Sequence, residues 1–203
     1  MKYTYHVYTP FSRWQNLVPF TKRLDAMHVH WHPIFDEDVP FIIAESDWIH
    51  PLYCVAKAPG WEDHMGHFKG NFFFDNTKIQ PEHRYMGLCD DDMVEPDFFL
   101  KIDRHDGEVI ICTALRGHHQ PATGPQYGTG ALQANAESLK PGLFTAQQMI
   151  SSGLALGHAR YDSKPCGDFR FAEQVFSVTP PEFAPEANVW FNAYEPGRWD
   201  HLP

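Results

Sequence analysis

The opening segment, residues 3 to 35, constrains the fold more than anything that follows it. Tyr3, Tyr5 and Val7 alternate with Thr4, His6 and Tyr8, a period of two that ends at Thr9-Pro10. That is a strand running into a loop. Ser12 can cap a following helix in which Trp14, Leu17, Val18, Leu24 and Met27 recur at roughly helical spacing, with Pro19 tolerated in the first turns. A second strand is expected from about His28 to Phe35. Strand, helix and strand at this spacing open an α/β sheet.

The rest of the chain extends the pattern. Phe41 to Ala44 and Leu52 to Ala56 are short apolar runs, and Pro59 to Phe74 is punctuated by glycine. Arg84 to Cys89 reads as a strand leading straight into Asp90-Asp91-Asp92, and Pro96 opens a short apolar helix over Asp97 to Ile102. Glu108 to Leu115 is the strongest strand pattern, and Arg116 to Gly130 has loop chemistry over a length that usually serves function. A helix near Ala146 to Leu156, a second near Asp168 to Phe176, a proline-rich connection and a strand over Val189 to Tyr194 complete the reading. The 203 residues suit a single domain.

Composition narrows the function. Sixteen basic against twenty-six acidic residues give a net charge of −10, the wrong sign for holding nucleic acid through its phosphates. A phosphorylated ligand would have to be met by a few placed cations or a bound metal. The longest apolar runs fall far short of the roughly 18 residues of a membrane span. MKYTYHVYTPF lacks the apolar core of a signal peptide, so a cytoplasmic location is expected. Cys54, Cys89, Cys112 and Cys166 are far apart and form no CxxC pair, which reads as reduced, mostly buried thiols.

Asp90-Asp91-Asp92 carries the most chemical information. In open α/β sheets ligands bind at the carboxyl ends of strands, which is where this run falls. An Asp-x-Asp pair can hold a hard divalent cation that neutralises a diphosphate. The plainer alternative is that Asp92 caps the next helix and its neighbours are solvated.

The strand ending in TPFSR, the Lys69-Gly70-Asn71 upstream and YMGLCDDD together resemble the GT-A family of nucleotide-sugar glycosyltransferases. The resemblance covers roughly residues 3 to 115, with a weaker echo beyond. It implies one α/β domain with a mixed, mostly parallel sheet flanked by helices. Residues 1–115 would form the nucleotide-sugar half and 116–203 the acceptor half. It also implies a nucleotide diphosphate sugar as donor, a saccharide or other hydroxyl acceptor, and Mn²⁺ or Mg²⁺. Thr9, Pro10 and Arg13 would border the nucleotide, with Lys69 and Asn71 nearby. Asp90 and Asp91 would meet the ribose or sugar, and Asp90 and Asp92 the metal, completed by His201. Asp36, Glu37 and Asp38 are all candidates to read the base. Asp168, at the start of the later helix, matches the segment supplying the acceptor-activating carboxylate of inverting members, although Gly167 replaces the preceding acidic residue. The plain alternative is a helix cap.

Two rival readings stand beside this one. The chain would also fit a nucleotide- or sugar-binding module without turnover. His28, His30 and His32, on one face of a strand, would suit a zinc-dependent hydrolase of the barrel type, although a half-buried histidine face explains them better. Such barrels typically need about 250 residues. His118 and His119 fall in the long loop, where they could touch an acceptor.

Overall fold

The computed structural model describes residues 1–13, 16–61, 64–116, 131–141 and 143–191. Trp14, His118, His119 and His201 lie outside them. The alternation at the N-terminus forms β1 (Tyr5–Pro10), and the helical spacing forms α1 (Leu17–Ala26), with Pro19 in its first turn. The parallel strand β2 (His30–Asp36) then pairs with β1, His6 opposite His30 and Pro10 opposite Ile34. Ser12 does not cap α1. Its backbone and hydroxyl both turn to Asp90, and Asn16 precedes the helix.

The edge strand β3 (Leu52–Cys54) follows, then α2 (Met65–Asn76), β4 (Arg84–Gly87), β5 (Met93–Val94) and α3 (Phe98–Ile102). The last part contains β6 (Val109–Arg116), β7 (Ala131–Leu132), β8 (Met149–Ser152), α4 (Gly153–Leu156), α5 (Gly167–Phe176) and β9 (Glu182–Phe191). They form one mixed sheet in the order β3-β2-β1-β4-β8-β6-β9-β5, with β7 beside β6. β1 to β4 are mutually parallel where they pair, while β8 runs antiparallel to both β4 and β6.

Alternation along the strands builds a core on each side. Tyr5 and Val7, with Trp31, Phe35, Ile110 and Cys112, pack against Phe20 and Leu24 of α1 and Phe98 and Ile102 of α3. Tyr8, Ile34, Val109 and Ile111 pack on the other face against Phe73 and Phe74 of α2 and Phe171 and Val175 of α5. The result is the three-layered α/β architecture expected from the sequence.

Three local expectations change. Phe41 to Ala44 forms no strand, and Ile42 is 88% exposed. The apolar run from Ala146 to Leu156 is a short 3₁₀ turn, then β8, then only one turn of helix, because its buried residues are needed between β4 and β6. The last strand begins at Glu182, ahead of the predicted Val189. Pro185 is accommodated there because pairing with β6 jumps from Cys112–Ala184 to Thr113–Asn188, leaving it in a bulge where no ladder N–H is needed.

Candidate functional site

From β1 the chain steps outward through β2 to β3 and returns to β4 on the other side of β1. Such a reversal leaves a crevice beyond the carboxyl ends of the strands. A cavity of about 540 Å³ opens there, lined by Pro10 and Arg13 after β1, His67 and Lys69 of α2, Asp90 and Asp91 after β4, and Asp168 of α5. Two halves of the sequence therefore meet in one cleft.

Asp90 is only 2% exposed. Its Oδ2 accepts from the Ser12 N–H (2.6 Å), the Ser12 hydroxyl (3.0 Å) and the Arg13 N–H (2.5 Å), while Oδ1 accepts from Arg13 Nη1 (2.6 Å). Its carbonyl accepts from Asn16 Nδ2 at 2.8 Å. The first aspartate of the run therefore ties the loop after β1 to the loop after β4. Arg13 Nη1 also reaches Asp91 Oδ2 at 3.1 Å. Burial raises the Asp91 carboxyl above the ordinary range, with Arg13 pulling it down and Asp90 adding to the rise. Asp92 is buried and accepts the Cys89 N–H, at 3.2 Å; it does not cap α3, which begins after Asp97.

Cys89, Asp91 and Asp92 each offer one ligand atom within 4.8 Å of the others. Two carboxylates suit a hard, oxygen-preferring divalent cation. The Cys89 thiol is the poor member of the set, because burial first and the neighbouring aspartates second keep it protonated.

Lys69 is 4% exposed and donates to the Phe11 carbonyl (3.0 Å), with Asp36 Oδ1 at 2.9 Å. Of the three acidic candidates at the end of β2, Asp36 is thus the one joined to a cleft residue, whereas Glu37 and Asp38 are exposed. Thr9 is fully buried, its hydroxyl accepting from Trp31 Nε1, so β1 borders the cleft through Tyr8 and Pro10 instead. Asn71 bonds the backbone of Tyr161 in both directions and stands behind the cleft wall. That wall needs glycine: a Cβ on Gly70 would come within 2.8 Å of the Tyr161 ring.

Asp168 occupies the first turn of α5, after Cys166, which takes a left-handed conformation at φ 60°. Its carboxylate is not spent on a cap. It pairs with His67 Nε2 at 2.8 Å, and His67 Nδ1 faces the Asp162 carbonyl at 3.2 Å. A carbonyl and a carboxylate both accept, so this pair of contacts favours the ring with both nitrogens protonated. Burial opposes that charge, but the hydrogen bond to Asp168, its charge and that of Asp162 outweigh burial and raise the His67 pKa. Tyr8 and Tyr161 also line the cavity, their hydroxyls 2.9 Å apart, and nothing in the sequence marked them or His67, because their partners are distant in the chain. The one local hint is the pair His64 and His67 just ahead of Lys69.

His28 does not share a strand with His30 and His32. It sits in the preceding turn with φ 52°, and β2 begins only at His30.

No protein-family model and no curated protein matches this chain. Among solved structures it is similar to S. aureus TarS 1-349, with a TM-score of 0.61 and 9% identity over 93% of this chain and 60% of that one. The same protein in complex with UDP gives 0.61 and 8% over 92% and 60%. In complex with UDP-GlcNAc it gives 0.63 and 9% over 98% and 61%. The chain therefore spans about 60% of the length of these TarS structures. At such identity the likeness establishes the fold alone, a single mixed α/β domain as expected from the sequence. Among the described residues no helix is long and apolar enough to cross a membrane.

Proposed function

We propose that this chain transfers a sugar from a nucleoside diphosphate donor to an acceptor hydroxyl, with the cleft beyond β1 and β4 as its active site. One observation carries the reading. Arg13, Lys69, Asp90, Asp91 and Asp168, selected from the sequence for this chemistry, line one cavity in a fold shared with a protein solved with UDP and UDP-GlcNAc. A uridine donor is the first to test.

Asp90 anchors the floor of the site, and Arg13, fixed by that aspartate but half-exposed, faces the diphosphate. Lys69 orders Asp36 from beneath, where Asp36 can reach the base. Asp91 and Asp92 are the residues that would hold Mn²⁺ or Mg²⁺. When bound, the cation supplies charge neutralisation to the leaving diphosphate.

Asp168 stands on the α5 side of the cleft and takes the proton from the attacking acceptor hydroxyl. A single displacement with one base on the acceptor side inverts the anomeric centre. His67 orients that carboxylate through Nε2 and presents one of its oxygens to the cleft.

Asp168→Asn keeps size and shape but cannot accept the proton. Turnover should fall by about 10²–10⁴-fold while donor affinity stays within about twofold. The measurement is release and transfer of sugar from a panel of nucleotide sugars, with the anomeric configuration of the product read by NMR. Full turnover in the variant, or retained configuration, would refute the assignment of Asp168. Donor binding with no turnover in the unaltered chain would instead identify a binding module.

A further inference from the structure

The wall of the cleft holds a hydrogen-bond donor that the protein itself does not use. Tyr8, 4% exposed, and Tyr161, 7% exposed, both line the cavity, and their hydroxyl oxygens are 2.9 Å apart. Burial above all raises both phenols far beyond their ordinary pKa, so each keeps its proton. Two O–H groups therefore share a single contact. Whichever hydroxyl donates across it, the other O–H is left over, and among the described residues neither oxygen has a second hydrogen-bond partner. A buried donor left unpaired is costly, so its partner is to be sought outside the chain.

The pair is built rigidly into the wall. Tyr8 stacks on Phe73 with ring centroids 4.8 Å apart, and Tyr161 stacks on Phe171 at 4.1 Å and on His67 at 5.0 Å. A Cβ on Gly87 would stand 2.9 Å from the Tyr8 Oη, and Gly87 itself lines the cavity, which puts that hydroxyl at the cavity surface. The charge of Asp168 acts on both phenols and on the Cys89 thiol, and the charges of Asp91 and Asp92 act on that thiol as well. The two hydroxyls thus belong to the stretch of wall that runs from the aspartates after β4 to Asp168.

We propose that the Tyr8–Tyr161 pair selects the transferred sugar, donating its spare O–H to one uncharged oxygen of that sugar, a ring hydroxyl or an acetamido carbonyl. The inference rests on the donor site assigned to the cleft, in which the sugar lies between its diphosphate, facing Arg13, and the base Asp168. A carboxylate on the sugar at this position would be repelled by Asp168. A site made to hydrogen-bond a substrate oxygen rejects the analogue that lacks it, because the protein's own buried donor is then orphaned.

The test is calorimetry on the full chain with Mn²⁺. UDP, dTDP, GDP and ADP are titrated first, and the tightest binder is then followed as its glucose, N-acetylglucosamine and 2-, 3-, 4- and 6-deoxyglucose conjugates. A preference of at least about tenfold is expected. A preference for glucose over one deoxy analogue identifies a hydroxyl, and one for N-acetylglucosamine over glucose identifies the carbonyl. In Tyr8→Phe/Tyr161→Phe that preference should shrink to within about twofold. Both rings remain and neither oxygen is orphaned, so the double variant keeps the fold. The single variants show which oxygen meets the sugar, and they carry the test if the double variant does not fold. Absence of any tenfold preference, or a preference unchanged in the variants, would overturn the inference and leave the nucleotide-sugar reading standing. Failure of all four nucleoside diphosphates to bind would overturn both.

Discussion

The three adjacent aspartates do different work, and removing them singly should separate stability from binding. Asp90 accepts four hydrogen bonds from Ser12 and Arg13, two of them from backbone N–H groups, and is almost wholly buried. Deleting one partner of a buried charged pair costs about 3–5 kcal/mol, because the other is left uncompensated. Here Ser12 and Arg13 are themselves exposed, so water replaces part of what they lose. The loss for Asp90→Ala should therefore be about 2–3 kcal/mol. Asp91 makes one ion pair with a half-exposed guanidinium, and Asp91→Ala should cost less than about 1 kcal/mol. With a urea slope of about 2 kcal/mol per molar, Asp90→Ala should lower the unfolding midpoint by about 1–1.5 M with the slope unchanged. Asp90→Asn should fall between. Equal midpoints for the Asp90 and Asp91 variants, or a larger loss for Asp91→Ala, would show that Asp90 is not the anchor joining the two loops.

Three further outcomes follow from the packing around α2. In Gly167→Ala the new Cβ would stand 2.6 Å from His67 Cε1 and 2.8 Å from its Nδ1, so the ring must move; we expect a loss of about 1–3 kcal/mol and a His67 pKa falling toward its ordinary value, both absent if the contact is wrong. Because the folded-state pKa of His67 is raised, its contribution to stability is complete below about pH 6.5 and is lost as pH rises through the native value. Urea midpoints of the unaltered chain should accordingly fall relative to His67→Asn between pH 6 and pH 8.5, and parallel profiles would refute the imidazolium. Lys69→Met leaves Asp36 without its cation and should cost about 1–3 kcal/mol by urea unfolding while weakening donor binding; a variant as stable as the parent would contradict the buried pair.

The elements legible in the sequence were those whose burial pattern is local. Tyr5 and Val7 face one core and His6 and Tyr8 the other side, so β1 could be read from alternation alone, as could β6 from Val109 to Leu115. What escaped was decided by distant partners. Pro59 to Phe74 was legible only as punctuated by glycine, yet Gly66 and Gly70 both lie inside α2, and a Cβ on Gly70 would meet the Tyr161 ring. Met149–Ser152 is buried on both faces, and a short apolar run of that kind has no period to distinguish strand from helix. The site divides along the same line. The aspartates, Arg13 and Lys69 carried a recognisable spacing, whereas the His67–Asp168 pair joins residues 101 positions apart.

The charge within the cleft leads to the last prediction. Arg13 is already shared between Asp90 and Asp91, and Lys69 is paired with Asp36, so neither cation is available in full to an incoming diphosphate. His67 is likewise matched by Asp168. Asp92 adds a further carboxylate behind Asp91, in a chain with a net charge of −10. A diphosphate entering this cleft meets an excess of negative charge unless a divalent cation enters with it. Nucleoside diphosphate affinity, measured by calorimetry, should therefore rise with Mn²⁺ and fall by at least about tenfold, some 1.4 kcal/mol, when EDTA replaces it. Asp92→Ala should reproduce the EDTA value and lose the response to Mn²⁺, because Asp91 alone is a single ligand. Affinity indifferent to both changes would mean that the diphosphate is held by Arg13 and backbone donors without a metal, and that the aspartates serve the sugar and the fold instead.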